Sequence, residues 1–352
     1  MKASFLSIAA TLASCLVNCN VASAQTKITI AIGSTVFDVS QAGNTSIPYH
    51  LKCWEKEGVT VELQPTTASA ALQALIAGKV EMVNFGPATA VIARAKGVPI
   101  KAVYLNIRRN FVFPVVLETS PIKSLADFKG KTVGVFSYAA QQYKMFKAMV
   151  LHAGVDPEKD VTWIETGAGA QAVTALRAGR VDAWGTWDSQ IATAENMGLA
   201  LRRFTSPATE KLNWGSSYFV RDDYAKSNPE TVGKVLRCLA KSALFVTANP
   251  EATVRAHWAM YPETKPTNVS DAEAMRQALH ILRERSEYLK LEPGAKWGEM
   301  PAGTAEAMVE FMKKSGELTG TVNPADLYTN DFVKATNDFD QTKFEAEAKA
   351  AK

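Results

Sequence analysis

The chain has 352 residues, long enough for two domains, and its 47% hydrophobic and 21% charged residues are those of an ordinary globular protein. The formal net charge is +4, falling by one to +3 if the first 24 residues, whose only charge is Lys2, are removed. A charge this mild and evenly spread argues against nucleic acid as a partner.

The N-terminus reads as an export signal. Lys2 is a short basic region, Phe5 to Val17 is apolar, and Ala22-Ser23-Ala24 is a small-residue cleavage site before Gln25. The apolar run is too short for a membrane anchor. Residues 1–24 are therefore expected to be a signal peptide cleaved after Ala24, leaving the protein in the periplasm. The alternative is Leu12-Ala13-Ser14-Cys15, a lipoprotein-like pattern that would leave a lipid on Cys15. Cys15 and Cys19 lie in the signal, so Cys53 and Cys238 remain. An exported chain could join them, but both sit in apolar helical patterns, which favours buried free thiols. Neither has metal or redox spacing.

Next comes an α/β pattern in two similar halves. The first predicts a strand over 27–32, a glycine-containing loop to 46, a helix over about 47–57 and a strand over 58–63. A helix over 68–77, a strand over 80–84, a helix over 87–96 and a strand over 100–106 complete it. The run Phe111 to Glu118 is β-rich and leads into the second half. There strands over 131–136, 161–165, 181–185 and 200–204 alternate with helices over 139–153, 169–178 and 188–197. One segment occurs twice. Ala71 to Glu81 reads A-L-Q-A-L-I-A-G-K-V-E, and Ala172 to Asp182 reads A-V-T-A-L-R-A-G-R-V-D. Both copies run from an amphipathic helix through a capping Gly and a cation into a strand opening on Val. Alternating strands and helices predict doubly covered parallel sheets, so two lobes of one plan are expected to enclose a cleft. Ser216 to Val220 is a second β-rich run that can return the chain to the first lobe. The expected division is 25–111 with 219–352 as lobe one and 112–218 as lobe two, joined by two hinge crossings. Beyond 228 the pattern is helical, with long helices opening at Asn228-Pro229 and Asn249-Pro250 and others at about 271–287 and 303–315.

Loops at the carboxyl ends of parallel strands face the crevice. They hold Ser34, Thr35 and Phe37 after the first strand, Phe85, Pro87, Ala88 and Thr89 after the third, and Ser137, Tyr138, Ala139 and Gln141 after 131–136. Trp187 and Asp188 follow 181–185, and Asn110, Trp214 and Tyr218 border the crossings. Helix starts in these loops present unpaired N–H groups that favour an anion, although each Ser or Thr there can be a plain cap. The aromatics favour stacking on a ring. Trp187 and Tyr138, at loop-to-helix junctions, stand out, while Trp184 and Phe85 read equally well as core. Asp188 suits either an N-cap or a ligand amine. Four scattered histidines and the lack of HExxH, GxSxG, P-loop or GxGxxG patterns argue against an enzyme and predict no metal and no cofactor. The Gly-rich run Thr166 to Ala170 lacks the third glycine of a dinucleotide site.

Four segments carry a resemblance: Asn84 to Val91 (N-F-G-P-A-T-A-V), Ile122 to Val135 (I-K-S-L-A-D-F-K-G-K-T-V-G-V), Asp182 to Asp188 (D-A-W-G-T-W-D) and Tyr218 to Glu230 (Y-F-V-R-D-D-Y-A-K-S-N-P-E). The chain resembles the substrate-binding proteins of ABC importers for nitrate, sulfonates, taurine and thiamine-precursor pyrimidines. The resemblance implies a two-lobe, type II periplasmic-binding-protein fold, with cleft residues at the positions named above other than Asn110, Gln141 and Trp214. It also implies delivery of a small ligand to an ABC permease in the inner membrane; the expected working form is a monomer. The ligand expected is a sulfonate-like anion or zwitterion, or a planar heterocycle. A related eukaryotic pyrimidine-synthesising enzyme has a cysteine-rich motif that this chain lacks. The Gly185-Thr186 pair stands where many relatives are more apolar. The alternatives are a secreted enzyme using Asp188 and Tyr138 as acid and base, or a sensor for a membrane signalling protein.

Overall fold

A computed structural model describes residues 26–351 except Val36 and Ala139. The expectations for the signal, for lipidation at Cys15 and for Ala139 lie outside the described residues.

Among the described residues, ten strands form two five-stranded sheets. The first holds β1 (Thr26–Ile32), β2 (Val59–Pro65), β3 (Met82–Phe85), β4 (Ile100–Ile107) and β10 (Ser216–Arg221), in the order β2-β1-β3-β10-β4. The second holds β5 (Val112–Leu117), β6 (Lys131–Val135), β7 (Val161–Glu165), β8 (Ala183–Trp187) and β9 (Leu201–Arg203), in the order β7-β6-β8-β5-β9. Each sheet is mixed where the sequence pattern predicts parallel strands alone. In each, a strand arriving from the other lobe inserts antiparallel between its neighbours: β10 between β3 and β4, and β5 between β8 and β9. Helices cover both faces, so strands are buried in runs, as Ile30, Ala31 and Ile32 are in β1.

The sequence repeat is a repeat of detail. Gly78 and Gly179 both take left-handed φ, 66° and 67°, just past their helices. Lys79 N–H then bonds Ala74 O, and Arg180 N–H bonds Ala175 O, each at 2.9 Å. The acid closing each copy binds the opening strand of its own lobe. Glu81 Oε2 accepts from Thr29 N–H at 2.7 Å, and Asp182 Oδ2 accepts from Thr132 N–H at 2.8 Å.

Two further sequence expectations change. The helix expected over 47–57 is two short helices, Ser46–His50 and Cys53–Lys56, separated by a left-handed Lys52 (φ 49°) that no helix can run through. The turn brings Cys53 against Cys238 of helix Pro229–Ala248, and the two form a disulfide rather than buried free thiols, with Cα atoms 5.6 Å apart. The return strand Ser216–Arg221 lies where the second β-rich run was expected.

The two crossings lie side by side: Asn110 N–H bonds Leu212 O at 3.0 Å, and Gly215 N–H bonds Ile107 O at 2.8 Å. A Cβ at Gly215 would overlap the Arg109 carbonyl, so this approach needs glycine. A third link comes from helix Asp271–Glu287. It packs on lobe one through helix Pro250–Met260 and on lobe two through helix Asp188–Asn196. Among the described residues, no helix is long and apolar enough to cross a membrane.

Candidate functional site

A cavity of about 830 Å³ lies between the lobes. Lobe one supplies Gly33, Ser34 and Thr35 after β1, Thr66 to Ser69 after β2, and Asn84, Phe85 and Gly86 at the end of β3. Lobe two supplies Phe136 and Ser137 after β6, Ala140 to Gln142, Ala168 and Gly169 after β7, and Trp187 at the end of β8. These are carboxyl ends of strands and first turns of helices, where topology makes a crevice. Helix starts at Ala68 and Gln141 and the N-cap Gly169 of a third helix line the same space, the first of them capped by Thr67, so first-turn dipoles give the cavity a positive lining without a formal charge.

Of the residues singled out in the sequence, Ser34, Thr35, Phe85, Ser137, Gln141 and Trp187 line the cavity. Trp187 donates from Nε1 to Ser189 Oγ at 3.0 Å, and the Phe136 ring meets it edge-on at 5.8 Å, which fixes the indole plane. Gln141 lies against Gly86 across the cleft; a Cβ on residue 86 would overlap its amide.

The others are placed elsewhere, for physical reasons. Trp214 and Tyr218 are fully buried in lobe one. Trp214 Nε1 donates to Ser217 Oγ at 2.8 Å, and Tyr218 Oη donates to Asn44 Oδ1 at 3.0 Å. The alternation of β10 turns Tyr218 inward, and Trp214, ahead of that strand, is held inward by stacking on Phe219. Phe37 is buried edge-on to Tyr261, 5.7 Å away. Pro87, Ala88 and Thr89 form the first turn of helix Pro87–Ala95, outside the lining. Asn110 braces its own crossing through Val112 O at 3.0 Å. Tyr138 is exposed and donates from Oη to Trp163 O at 3.0 Å. Asp188 is neither an N-cap nor in the lining. It stands in the first turn of its helix, and its Oδ1 accepts from Arg285 Nη2 at 2.7 Å. Burial pushes the Asp188 carboxyl up and Arg285 only partly offsets this. The acid–base pair considered for an enzyme is therefore not assembled. Trp184 is core.

Sequence reasoning missed several parts of the lining, among them Gln190, Thr193, Asn196 and Met197 of helix Asp188–Asn196 and its C-cap. Thr66 to Ser69 and Ala168-Gly169 follow strands β2 and β7, so the carboxyl-end rule could have found them. Asp38, Ser40 and Gln41 belong to a 3-10 turn, Val39–Asn44, capped by Asp38. Trp258, Gln277, Ile281 and Arg285 follow no strand and carried no signal.

The charges of the lining are decisive. Arg285 is its one cation among the described residues, and Asp188 neutralises it; Asp38 and Glu263 are its carboxylates. Five aromatic rings and many amides and hydroxyls make up much of the remainder.

The NMT1/THI5 like family matches residues 53–253, more than half of the chain. The protein belongs to that family. A Brucella abortus (strain 2308) chain described in general terms as a binding protein is 25% identical over 297 residues, covering 83% of this chain and 87% of its own length. Riboflavin-binding protein RibY of Chloroflexus aurantiacus is 24% identical over 251 residues, 69% of this chain and 67% of its own. The fold is that of periplasmic binding proteins. The alkanesulfonate-binding protein SsuA of Xanthomonas axonopodis pv. citri, solved with MOPS, superposes with a TM-score of 0.64 at 17% identity, over 86% of this chain and 98% of that one.

Proposed function

We propose that the protein is a periplasmic solute receptor that closes on a planar, carbonyl-bearing heterocycle and hands it to an ABC permease. The observation that carries this reading is Trp187, braced by Phe136 and Ser189, on a wall shared with helix starts from both lobes and lacking an unpaired cation. An aromatic face stacks a ring, N–H groups at helix starts meet its carbonyl oxygens, and side-chain amides can both donate and accept along its edge. Closure removes water, which strengthens these polar contacts. The two paired crossings supply a hinge for that motion, and the general likeness to binding proteins supports a receptor over an enzyme.

A second reading, a sulfonate or similar anion, is favoured by the same helix starts and by the fold shared with a sulfonate-binding protein. The lining carboxylates Asp38 and Glu263 weigh against it. Calorimetry with uracil, lumichrome and riboflavin beside taurine and alkanesulfonates separates the two. Replacing Trp187 with Ala should weaken binding of a ring by roughly 1–3 kcal/mol. Tight binding of a sulfonate, unchanged in that variant, would overturn the heterocycle.

A further inference from the structure

The cavity is larger than one ring requires. Its volume of about 830 Å³ lies in the upper part of the roughly 300–1,000 Å³ range of sites that hold drug-sized ligands. Part of the lining is built by two neighbouring helices. Helix Asp188–Asn196 and its C-cap turn Gln190, Thr193 and Met197 toward the space, and helix Asp271–Glu287 turns Gln277, Ile281 and Arg285 toward it. Spacings of three, four and eight residues put each set on a single helical face. Gln190 to Met197 spans about 10 Å along the helix at ~1.5 Å per residue. The two helices pair through Arg285 at Asp188 and Gln277 O at Asn196; Arg285 is buried and Met197 exposed, and Trp258 also lines the cavity.

We propose that this gallery is a second subsite, which receives a hydroxyl-bearing chain without negative charge, attached to the ring held at Trp187. The inference rests on the heterocycle reading and adds the second half of the ligand. The chemistry of the wall selects the chain. Gln190, Thr193 and Gln277 supply amides and a hydroxyl, each holding one bond within the fold and able to make another, beside the apolar surfaces of Met197, Trp258 and Ile281. An anionic chain finds no free cation: Arg285 is already matched by Asp188 at 2.7 Å, and the lining carboxylate of Glu263 repels it. A chain with carbon–hydrogen faces and hydroxyl groups satisfies both kinds of surface. One wall belongs to the helix that joins the lobes, so the gallery keeps its shape only while that helix is docked.

The test uses matched pairs that share a ring and differ in the chain, lumichrome with riboflavin and cytosine with cytidine, titrated calorimetrically into the full mature protein. The chain-bearing member of at least one pair should bind ~10-fold or more tighter. Ile281→Trp, which fills the gallery, should reduce that ratio to below about 2-fold. Met197→Trp, at an exposed position where misfolding is not at issue, should reduce it as well. Trp187→Ala should weaken both members of a pair alike. A ring that binds without gain from its chain, or a gain that survives both gallery variants in folded protein, overturns the gallery and leaves the ring reading standing. If no member of either pair binds, the ring reading and the gallery fall together.

Discussion

Gly185 lies in β8 with the ring of Phe146 where its side chain would begin, so even a methyl group would overlap the ring. Gly185→Ala should lower the free energy of unfolding by about 1–3 kcal/mol, as overpacked cores do, read as a fall in the urea midpoint. Gly86 has a different task, because its missing side chain makes room for Gln141 of the opposite lobe. Gly86→Ala should leave the melting temperature nearly unchanged but weaken ligand binding ~10-fold, since the cleft cannot shut past the new methyl. In a Gln141→Ala background the same change should cost much less, and equal losses in both backgrounds would refute the steric account. His257 is buried between two partners. Its Nε2 lies 3.1 Å from the Phe37 carbonyl, which can only accept, so Nε2 carries the proton and Nδ1 accepts from Ser46 Oγ at 3.0 Å. Burial holds this imidazole below its ordinary 6.5, against the pull of Asp38 and Glu263. Its contribution to stability is therefore complete above pH 6.5 and lost as pH falls through the lower folded value. His257→Gln should show a smaller drop in melting temperature between about pH 7.5 and about pH 5 than the parent.

Elements that repeat a pattern were the legible ones. The helix–Gly–cation–strand unit at 71–81 and 172–182 has the same caps and the same acid-to-strand bond in both lobes, so periodicity and local chemistry agreed there. Cavity-lining residues were legible where a strand delivers them to the crevice, as with Ser34, Phe85, Ser137 and Trp187. Aromatics near the crossings were not, because strand alternation or packing decides between core and cleft. Trp214 and Tyr218 turn inward, and Tyr138, at a junction like that of Trp187, turns out to solvent. Helix Asp271–Glu287 is the element that sequence could not place. Its contacts are made by residues scattered in the chain: Arg285 with Asp188, Glu284 with Arg203 at 2.7 Å, and the Gln277 carbonyl with Asn196 at 3.0 Å. Lysine at 277 would keep that carbonyl bond, whereas Arg285→Met leaves Asp188 buried without its cation. The latter should destabilise the fold by about 3–5 kcal/mol, measured by denaturant unfolding.

The whole molecule is held by a cross-link that sequence alone left open. Two apolar helical contexts look the same for a buried thiol and for half of a disulfide, and only the left-handed turn at Lys52 brings Cys53 to Cys238. The bond spans 185 residues and encloses all of lobe two. Cys53→Ala with Cys238→Ala should lose about 2–5 kcal/mol of stability, a difference that disappears when both proteins are compared under reducing conditions. The sheet orders have one more consequence, for the order of assembly. All five strands of the second sheet come from one unbroken stretch, so a chain emerging N-terminus first can complete it from its own residues. The first sheet cannot close in this way. A slot between β3 and β4 stays vacant until β10 is made, more than a hundred residues after β4. During that interval two hydrophobic edges stand open to any passing strand, and the lobe that begins the chain is the last to become whole.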